Sequence, residues 1–465
     1  MTTNTQLRFI VIGTIYGEMG IDNIQIEITP TADTVYPTLV DADQLHTSGL
    51  TGKNVTVAVI DTGIWSHPAL KNDDNDDDRL LIQYDAIRDE EGEFDDDDDS
   101  GHGSHISSII VSSRKTKSGK YNGIAPNARL VSVKAFDNDG AGSYLSVIRG
   151  IDWVVANKDV HNIRVLNLSF SAPVQSYYWD DPLNQAVMQA WEAGIVVVAS
   201  AGNNGPDPMT IGVPGNVPFI ITVGAMSDNY TPSDPTDDEL ASFSAAGPTV
   251  EGFVKPEIVA PGGHMWGLIP GWAKLAMNHP SHKKLADYFS MSGTSQATAV
   301  TSGIVALMLE ADPTLTPDDV KCRLMATASP AVDENNNLAY SIFQQGAGLV
   351  NAQSASNSTA SGCANQGLNI ANDLAGIEHY GGLANLDPTT ESYYIVGLDG
   401  YAWSDGFAWS DGFAWSDGYA WSDGYAWSDG YAWSDGYAWS DGYAWSDGYA
   451  WSDANMAVNN WVPQE

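Results

Sequence analysis

From residue 129 to residue 352 the chain alternates short runs of β-branched and aliphatic residues with longer stretches whose apolar positions recur at helical spacing. The runs 129–136, 163–169, 195–199 and 219–223 read as strands, and 143–157 and 182–193 read as helices. Upstream, Val55-Thr56-Val57-Ala58-Val59-Ile60 is a continuous apolar run of the kind that a parallel strand buried on both faces shows. Strand and helix in turn predict an α/β architecture, a mostly parallel sheet with helices on both faces. Two more strands, 7–12 and 24–28, fall in an N-terminal lead, 1–35, and the second alternates as an edge strand does. After Asn351 the composition shifts to Ser, Asn, Ala and Gly, a linker or loosely packed extension over 353–400. A hexapeptide, Tyr/Phe-Ala-Trp-Ser-Asp-Gly, then repeats over 401–453 and supplies nine of the sixteen tryptophans, ahead of a short tail, 454–465. Because six is even, an extended repeat keeps its aromatic and acidic positions on one face, which permits a ribbon or solenoid. A mobile low-complexity segment fits the same composition.

Three candidate chemical groups stand at the ends of such elements. Asp61 closes the strand run in Ile60-Asp61-Thr62-Gly63, at the C-terminal edge where open α/β sheets build their sites. Gly101-His102-Gly103-Ser104-His105 places an imidazole at a helix start with glycines around it. Gly293-Thr294-Ser295-Gln296-Ala297-Thr298-Ala299 delivers a serine into a small and apolar helical run, where unpaired N–H groups and the helix dipole favour negative charge. Taken singly, each has a structural explanation: a turn, a packing histidine, an N-cap. Together and in this order they point to nucleophilic catalysis. A serine hydroxyl needs a base to accept its proton, and the base needs a carboxylate to orient it.

The order Asp61, His102, Ser295 resembles that of the subtilases, the subtilisin-like serine proteases (peptidase family S8). Ile195-Val196-Val197-Val198-Ala199-Ser200-Ala201-Gly202-Asn203 is similar to the family strand that ends at the oxyanion asparagine, which implies that role for Asn203. Val165-Leu166-Asn167-Leu168-Ser169 is similar to the strand that pairs with substrate. The resemblance implies a substrate-binding wall of Leu168, Ser169, Phe170, Ser171, Ser200, Ala201 and Gly202, with large apolar side chains preferred in the first pocket. It covers a peptidase domain over 36–352, offers a pro-segment remnant as the alternative reading of the lead 1–35, and implies a secreted protein, although the lead lacks a clear signal peptide. Three departures matter. Gln296 replaces the methionine that usually follows the nucleophile, which removes an oxidisable sulfur. Ala299 replaces a proline, which bears on the placement of Ser295 and on the balance between hydrolysis and acyl transfer. Ser171 replaces a glycine and narrows one side of the pocket.

Charge changes the picture of partners. Lys+Arg 20 against Asp+Glu 59 gives a formal net charge of -39, which repels nucleic acid and anionic membrane surfaces. No apolar run is long enough to span a bilayer. Two acidic stretches, 72–78 and 95–99, lie between Asp61 and His102 and are candidates for structural Ca²⁺ or for solvated loops. No cofactor is needed for the chemistry, and no other metal site is read. Cys322 and Cys363 are one disulfide or two free thiols. His67, His161, His264, His279 and His282 read as loop or packing residues, and 265–287 as a loop or short helix that lies over the cleft or away from it. The reading is a serine endopeptidase acting on proteins or peptides through an acyl-enzyme at Ser295. The alternatives are an acyl transferase or an inactive scaffold whose repeat binds a glycan or surface polymer.

Overall fold

A computed structural model describes residues 32–92, 96–390, 392–396, 455–458 and 461–462. The candidate strands 7–12 and 24–28 and the repeat 401–453 lie outside the described residues. A nine-stranded sheet forms the centre. Its order is Glu239–Leu240, Ile221–Ser227, Val196–Ser200, Ile163–Leu168, Thr56–Asp61, Arg129–Lys134, Leu80–Asp85, Glu90–Gly92, with Ile258–Pro261 also paired to Ile221–Ser227. Only the two short strands, Glu90–Gly92 and Glu239–Leu240, run antiparallel to their neighbours. The architecture is the α/β sheet that the alternation predicts.

Thr56–Asp61 is buried along its whole length, as its unbroken apolar run requires. Its register sets Asp61 opposite Lys134 on one side and Ile60 opposite Leu168 on the other, so the C-terminal ends of adjacent strands open on one edge. The helix Tyr144–His161 starts at an N-cap, Ser143, whose hydroxyl accepts from Ser146 N–H at 3.1 Å, and stops at Asn162 in the left-handed region (φ 51°). Pro182–Glu192 is capped by Asp181 through the N–H groups of Leu183 and Asn184. The helix Thr294–Ala311 is buried from Thr294 to Leu309, because small and apolar residues surround it on every side.

One strand is displaced from its predicted place: 219–223 is observed as Ile221–Ser227. The carbonyl groups of Pro218 and Ile220 accept from Lys321 and Lys255, and that of Phe219 from Asn365 at 2.9 Å, so these residues are bonded to side chains instead of a strand ladder. Apolarity alone does not reveal that competition. The insert after residue 264 is a hairpin, Met265–Leu268 with Tyr288–Met291, carrying the short helix Lys274–Asn278. It is tied to the turn ahead of His102 by Lys274 N–H to Asp99 O (2.8 Å) and Leu275 N–H to Ser100 O (3.2 Å).

Beyond residue 352 the chain keeps packing on the sheet domain. The helix Ala352–Asn357, the helix Ile370–Leu374 and the hairpin Ala384–Asp387/Ser392–Ile395 follow in turn, and Tyr380 is buried against Phe219. Cys322 and Cys363, which the sequence leaves open between thiols and a bridge, form a disulfide with Cα atoms 5.1 Å apart.

Candidate active site

Asp61 and His102 are brought together. Asp61 is 1% exposed at the end of its strand, and its Oδ1 accepts from Thr62 N–H (2.8 Å) and from His102 Nδ1 (2.7 Å). That bond fixes the imidazole tautomer and leaves Nε2 available for a substrate-side proton. His102 opens the helix His102–Val111 after Gly101, which takes φ 93°, a conformation that favours glycine. Gly103 must also be glycine, because a Cβ there would collide with the carbonyl of Gly63 and come within 3.3 Å of Asp61 Cβ.

A second carboxylate organises this pair, and the sequence reading does not assign it a role. Asp98 is fully buried inside the run 95–99. Its Oδ1 accepts from Thr62 Oγ1 (2.7 Å) and Gly101 N–H (2.8 Å), and its Oδ2 accepts from Ser104 N–H (2.7 Å) and Ser104 Oγ (2.6 Å). Thr62 Oγ1 in turn accepts from Gly103 N–H at 2.9 Å. Asp98 therefore fastens the end of the Asp61 strand to the start of the His102 helix. Its position three residues ahead of a glycine-led helix start is the one signal that sets it apart from its neighbours. Burial holds its carboxyl above the usual range, and Asp97 beside it is pushed up to about 6 by burial.

The described residues of the acidic stretches are a poor fit to Ca²⁺. Carboxylates of 96, 97 and 98 accept from the N–H groups of Ser66, Ile64, Gly101 and Ser104, and Asp73 accepts from the N–H groups of Asn75 and Asp77. Those oxygens are occupied by the chain's own donors, whereas a calcium loop turns its oxygens on the ion. Among the described residues, no group of three His, Cys, Asp or Glu side chains is arranged to hold a metal.

Ser295 is the second residue of Thr294–Ala311 and is 1% exposed. Its Oγ lies 3.1 Å from Ser169 O, and Ser169 Oγ returns a bond to Ser295 O at 3.1 Å. Ser169 follows the strand adjacent to the Asp61 strand, so this reciprocal pair anchors the serine to the sheet edge that carries Asp61. Alanine at 299 does not disturb the helix, which runs unbroken from Thr294.

Asn203 lies against the same helix start. Its Oδ1 accepts from Thr294 N–H and Thr294 Oγ1, both at 2.9 Å, which settles the orientation of the amide. Its buried Nδ2 has no hydrogen-bond partner among the described residues. A Cβ built on Gly293 would lie 2.7 Å from Gln296 Oε1, 3.3 Å from that Nδ2 and 3.7 Å from Ser295 N, which places the Gln296 oxygen and both nitrogens around one point.

The other residues that the resemblance puts at the substrate wall are placed as follows. Leu168 and Phe170 are fully buried, and Phe170 packs on Phe136 with ring centroids 5.1 Å apart. Ser200 Oγ donates to Phe170 O (2.8 Å), and Ala201 joins Ile211 and Ala245 in a small apolar cluster. The Ser171 hydroxyl sits between Gly202 and Gly212, 3.1 Å from where a Cβ on Gly202 would be, so it occupies space that a glycine would leave open.

Gln296 has a role that its sequence context does not reveal. Its Nε2 lies 3.4 Å from His105 Nδ1, and His105 Nε2 lies 3.1 Å from Phe289 O. With Gln296 donating to one ring nitrogen and the other donating to a carbonyl, His105 is neutral, and burial followed by the nearby His102 lowers its pKa to about 3. His264 is likewise more than a packing residue: its Nε2 pairs with Asp228 Oδ1 at 2.5 Å, under a stacked Tyr230.

His102 is shifted the other way. Burial, the largest effect, would lower its pKa, but the Asp61 charge, the Asp61 hydrogen bond and the Asp98 charge together raise it above 6.5. A buried acid–imidazole pair, a serine at a helix start and an orphan amide against that helix start are the kinds of group that acyl-transfer chemistry uses.

Comparison with known proteins agrees. The model of the subtilase family matches residues 52–349, more than half of the chain. The protein belongs to the subtilase family. Serine protease AprX of Bacillus subtilis (strain 168) is 41% identical over 309 residues, 65% of this chain and 66% of AprX. Subtilisin DY of Bacillus licheniformis is 33% identical over 320 residues, 68% of this chain and 96% of that protein, and subtilisin E of Bacillus subtilis (strain 168) is 33% identical over 319 residues, 68% of this chain and 69% of its own length. Subtilases are serine endopeptidases, and this subtilase is a hydrolase of that class. Among its described residues, no helix is long and apolar enough to cross a membrane.

Proposed function

We propose that this subtilase cleaves peptide bonds with Ser295 as nucleophile, His102 as general base and acid, Asp61 as the group that orients His102, and Asn203 as an oxyanion donor. Ser295 Oγ adds to the carbonyl carbon while its proton passes to His102 Nε2, and the new oxyanion is met by Asn203 Nδ2 and the Ser295 N–H. Collapse of the adduct breaks the C–N bond, and His102 returns the proton to the leaving amine. Water then attacks the acyl ester, again through His102, and restores Ser295. Leu168, Ser169, Phe170, Ser171, Ser200, Ala201 and Gly202 wall the first specificity pocket, which is expected to take large apolar side chains.

The observation that carries this reading is the unpartnered Asn203 amide. A buried donor left without a partner costs about 1–3 kcal/mol, and this one lies against the helix start that carries Ser295, which supports a role in meeting negative charge there. A serine-directed phosphonate tests it: peptide mapping is expected to place the adduct on Ser295, and an adduct elsewhere or none at all would overturn the assignment. For Asn203→Ala, kcat is expected to fall on the order of a hundred- to a thousand-fold with KM little changed, the size known for the oxyanion asparagine of subtilisin. A stopped or initial-rate assay with a chromogenic peptide reads this directly.

Acyl transfer has no separate support, because the Ala299 substitution that motivated it leaves the helix start in place. Secretion is favoured by the Cys322–Cys363 disulfide, which suits an oxidising compartment.

A further inference from the structure

The strands Ala141–Ser143 and Phe170–Ser171 do not pair with each other. Between them runs a strand from the far end of the chain, Asn455–Val458, antiparallel to both. Met456 lies opposite Gly142, Ala457 opposite Ala141 on one side and Ser171 on the other, and Val458 opposite Phe170. Val458 N–H donates to Gly140 O at 2.9 Å. Met456 and Val458 are 3% and 8% exposed, so the strand buries side chains as well as backbone.

This position is next to the proposed chemistry. Phe170 and Ser171 directly follow Ser169, whose carbonyl lies 3.1 Å from Ser295 Oγ. The other flank is held as well. Trp461 stacks on His279 with centroids 3.8 Å apart and planes 7° apart, and its edge meets Phe289 at 6.0 Å. His279 and Phe289 belong to the insert that is bonded to Asp99 and Ser100, just ahead of His102. Val458 and Trp461 are three residues apart in sequence, so the contacts beside Phe170 and those on the insert lie within about 11 Å of each other.

An extended segment that completes a sheet between two protein strands and buries alternate side chains is how a groove recognises a polypeptide. We propose that the segment 455–462 is an internal occupant of the peptide-binding groove, so that the full chain is self-occluded and substrates must displace its own C-terminus. The proposal rests on the peptidase reading above. Tethering sets the balance: with an effective concentration on the order of 1 mM, a segment of about 0.1 mM affinity leaves about one groove in ten open.

The test compares the full chain with a chain ending at Ala454. In a Ser295→Ala background, which removes self-cleavage, a fluorescent peptide of residues 455–462 is expected to bind the shortened chain and to be excluded from the full one. With Ser295 present, kcat/KM for a short chromogenic peptide is expected to be about tenfold higher in the shortened chain, and the added 455–462 peptide to compete in initial rates. Val458→Pro in the full chain removes the N–H that bonds Gly140 and is expected to raise kcat/KM in the same direction, which guards against a truncation that fails to fold. Equal kcat/KM in all three chains, with no competition by the peptide, would overturn the proposal while leaving phosphonate labelling of Ser295 intact. Failure of labelling in every chain would instead sink the peptidase assignment.

Discussion

Replacing Ser295 with alanine is expected to lower kcat by about a millionfold, the loss known when the subtilisin nucleophile is removed, while circular dichroism and thermal unfolding stay close to the native values. The size follows from the division of labour. Without the hydroxyl, no acyl-enzyme forms, and what remains is the contribution of binding and of the oxyanion donors acting on water. The fold tolerates the change because the serine's own backbone carbonyl still accepts from Ser169 Oγ, and Thr294 still holds Asn203. His102→Ala is expected to match this loss, and the double variant to be no worse than either alone, since the two groups act as a unit. Residual activity within a hundredfold of native in Ser295→Ala would show that another residue carries the chemistry.

Asp61→Asn is expected to cost about ten-thousandfold in kcat and to move the pH profile. In the native enzyme His102 must be neutral to accept the Ser295 proton, and its pKa is raised above 6.5. Activity therefore rises with pH through a midpoint above 6.5. The linked stability runs the other way. A histidine whose pKa is higher folded than unfolded contributes stability that is complete below 6.5 and is lost as pH rises through the raised value. In Asp61→Asn the largest of the contributions that together outweigh burial is gone, so the His102 pKa falls and the midpoint of kcat/KM shifts to lower pH. A profile of kcat/KM against pH for both proteins measures the shift, and coincident midpoints would exclude Asp61 as the source of the raised value.

The residues legible in the sequence are those whose placement is carried by their local context. Asp61 ends an unbroken apolar run, His102 follows a glycine that the helix start needs at φ 93°, and Ser295 opens a helix with no polar face. Asp98 is set apart from the neighbouring aspartates only by its place three residues ahead of a glycine-led helix start, and it is the packed turn that buries it. Gln296 reads as a missing sulfur until the fold brings in His105, 191 residues away. The start of the Ile221–Ser227 strand was shifted by lysine and asparagine side chains from outside that segment, and strand propensity carries no information about such partners.

The amino-acid order by itself determined the α/β alternation, the buried central strand and the order of acid, imidazole and hydroxyl, because each is a pattern over a few consecutive residues with a fixed backbone period. Tertiary structure decided which carboxylate locks the site, that Cys322 and Cys363 pair, and that residues 455–458 lie between two strands more than 280 residues upstream. Those outcomes turn on distances between remote segments, which are set by the free energy of packing the whole chain and leave no periodic trace along it.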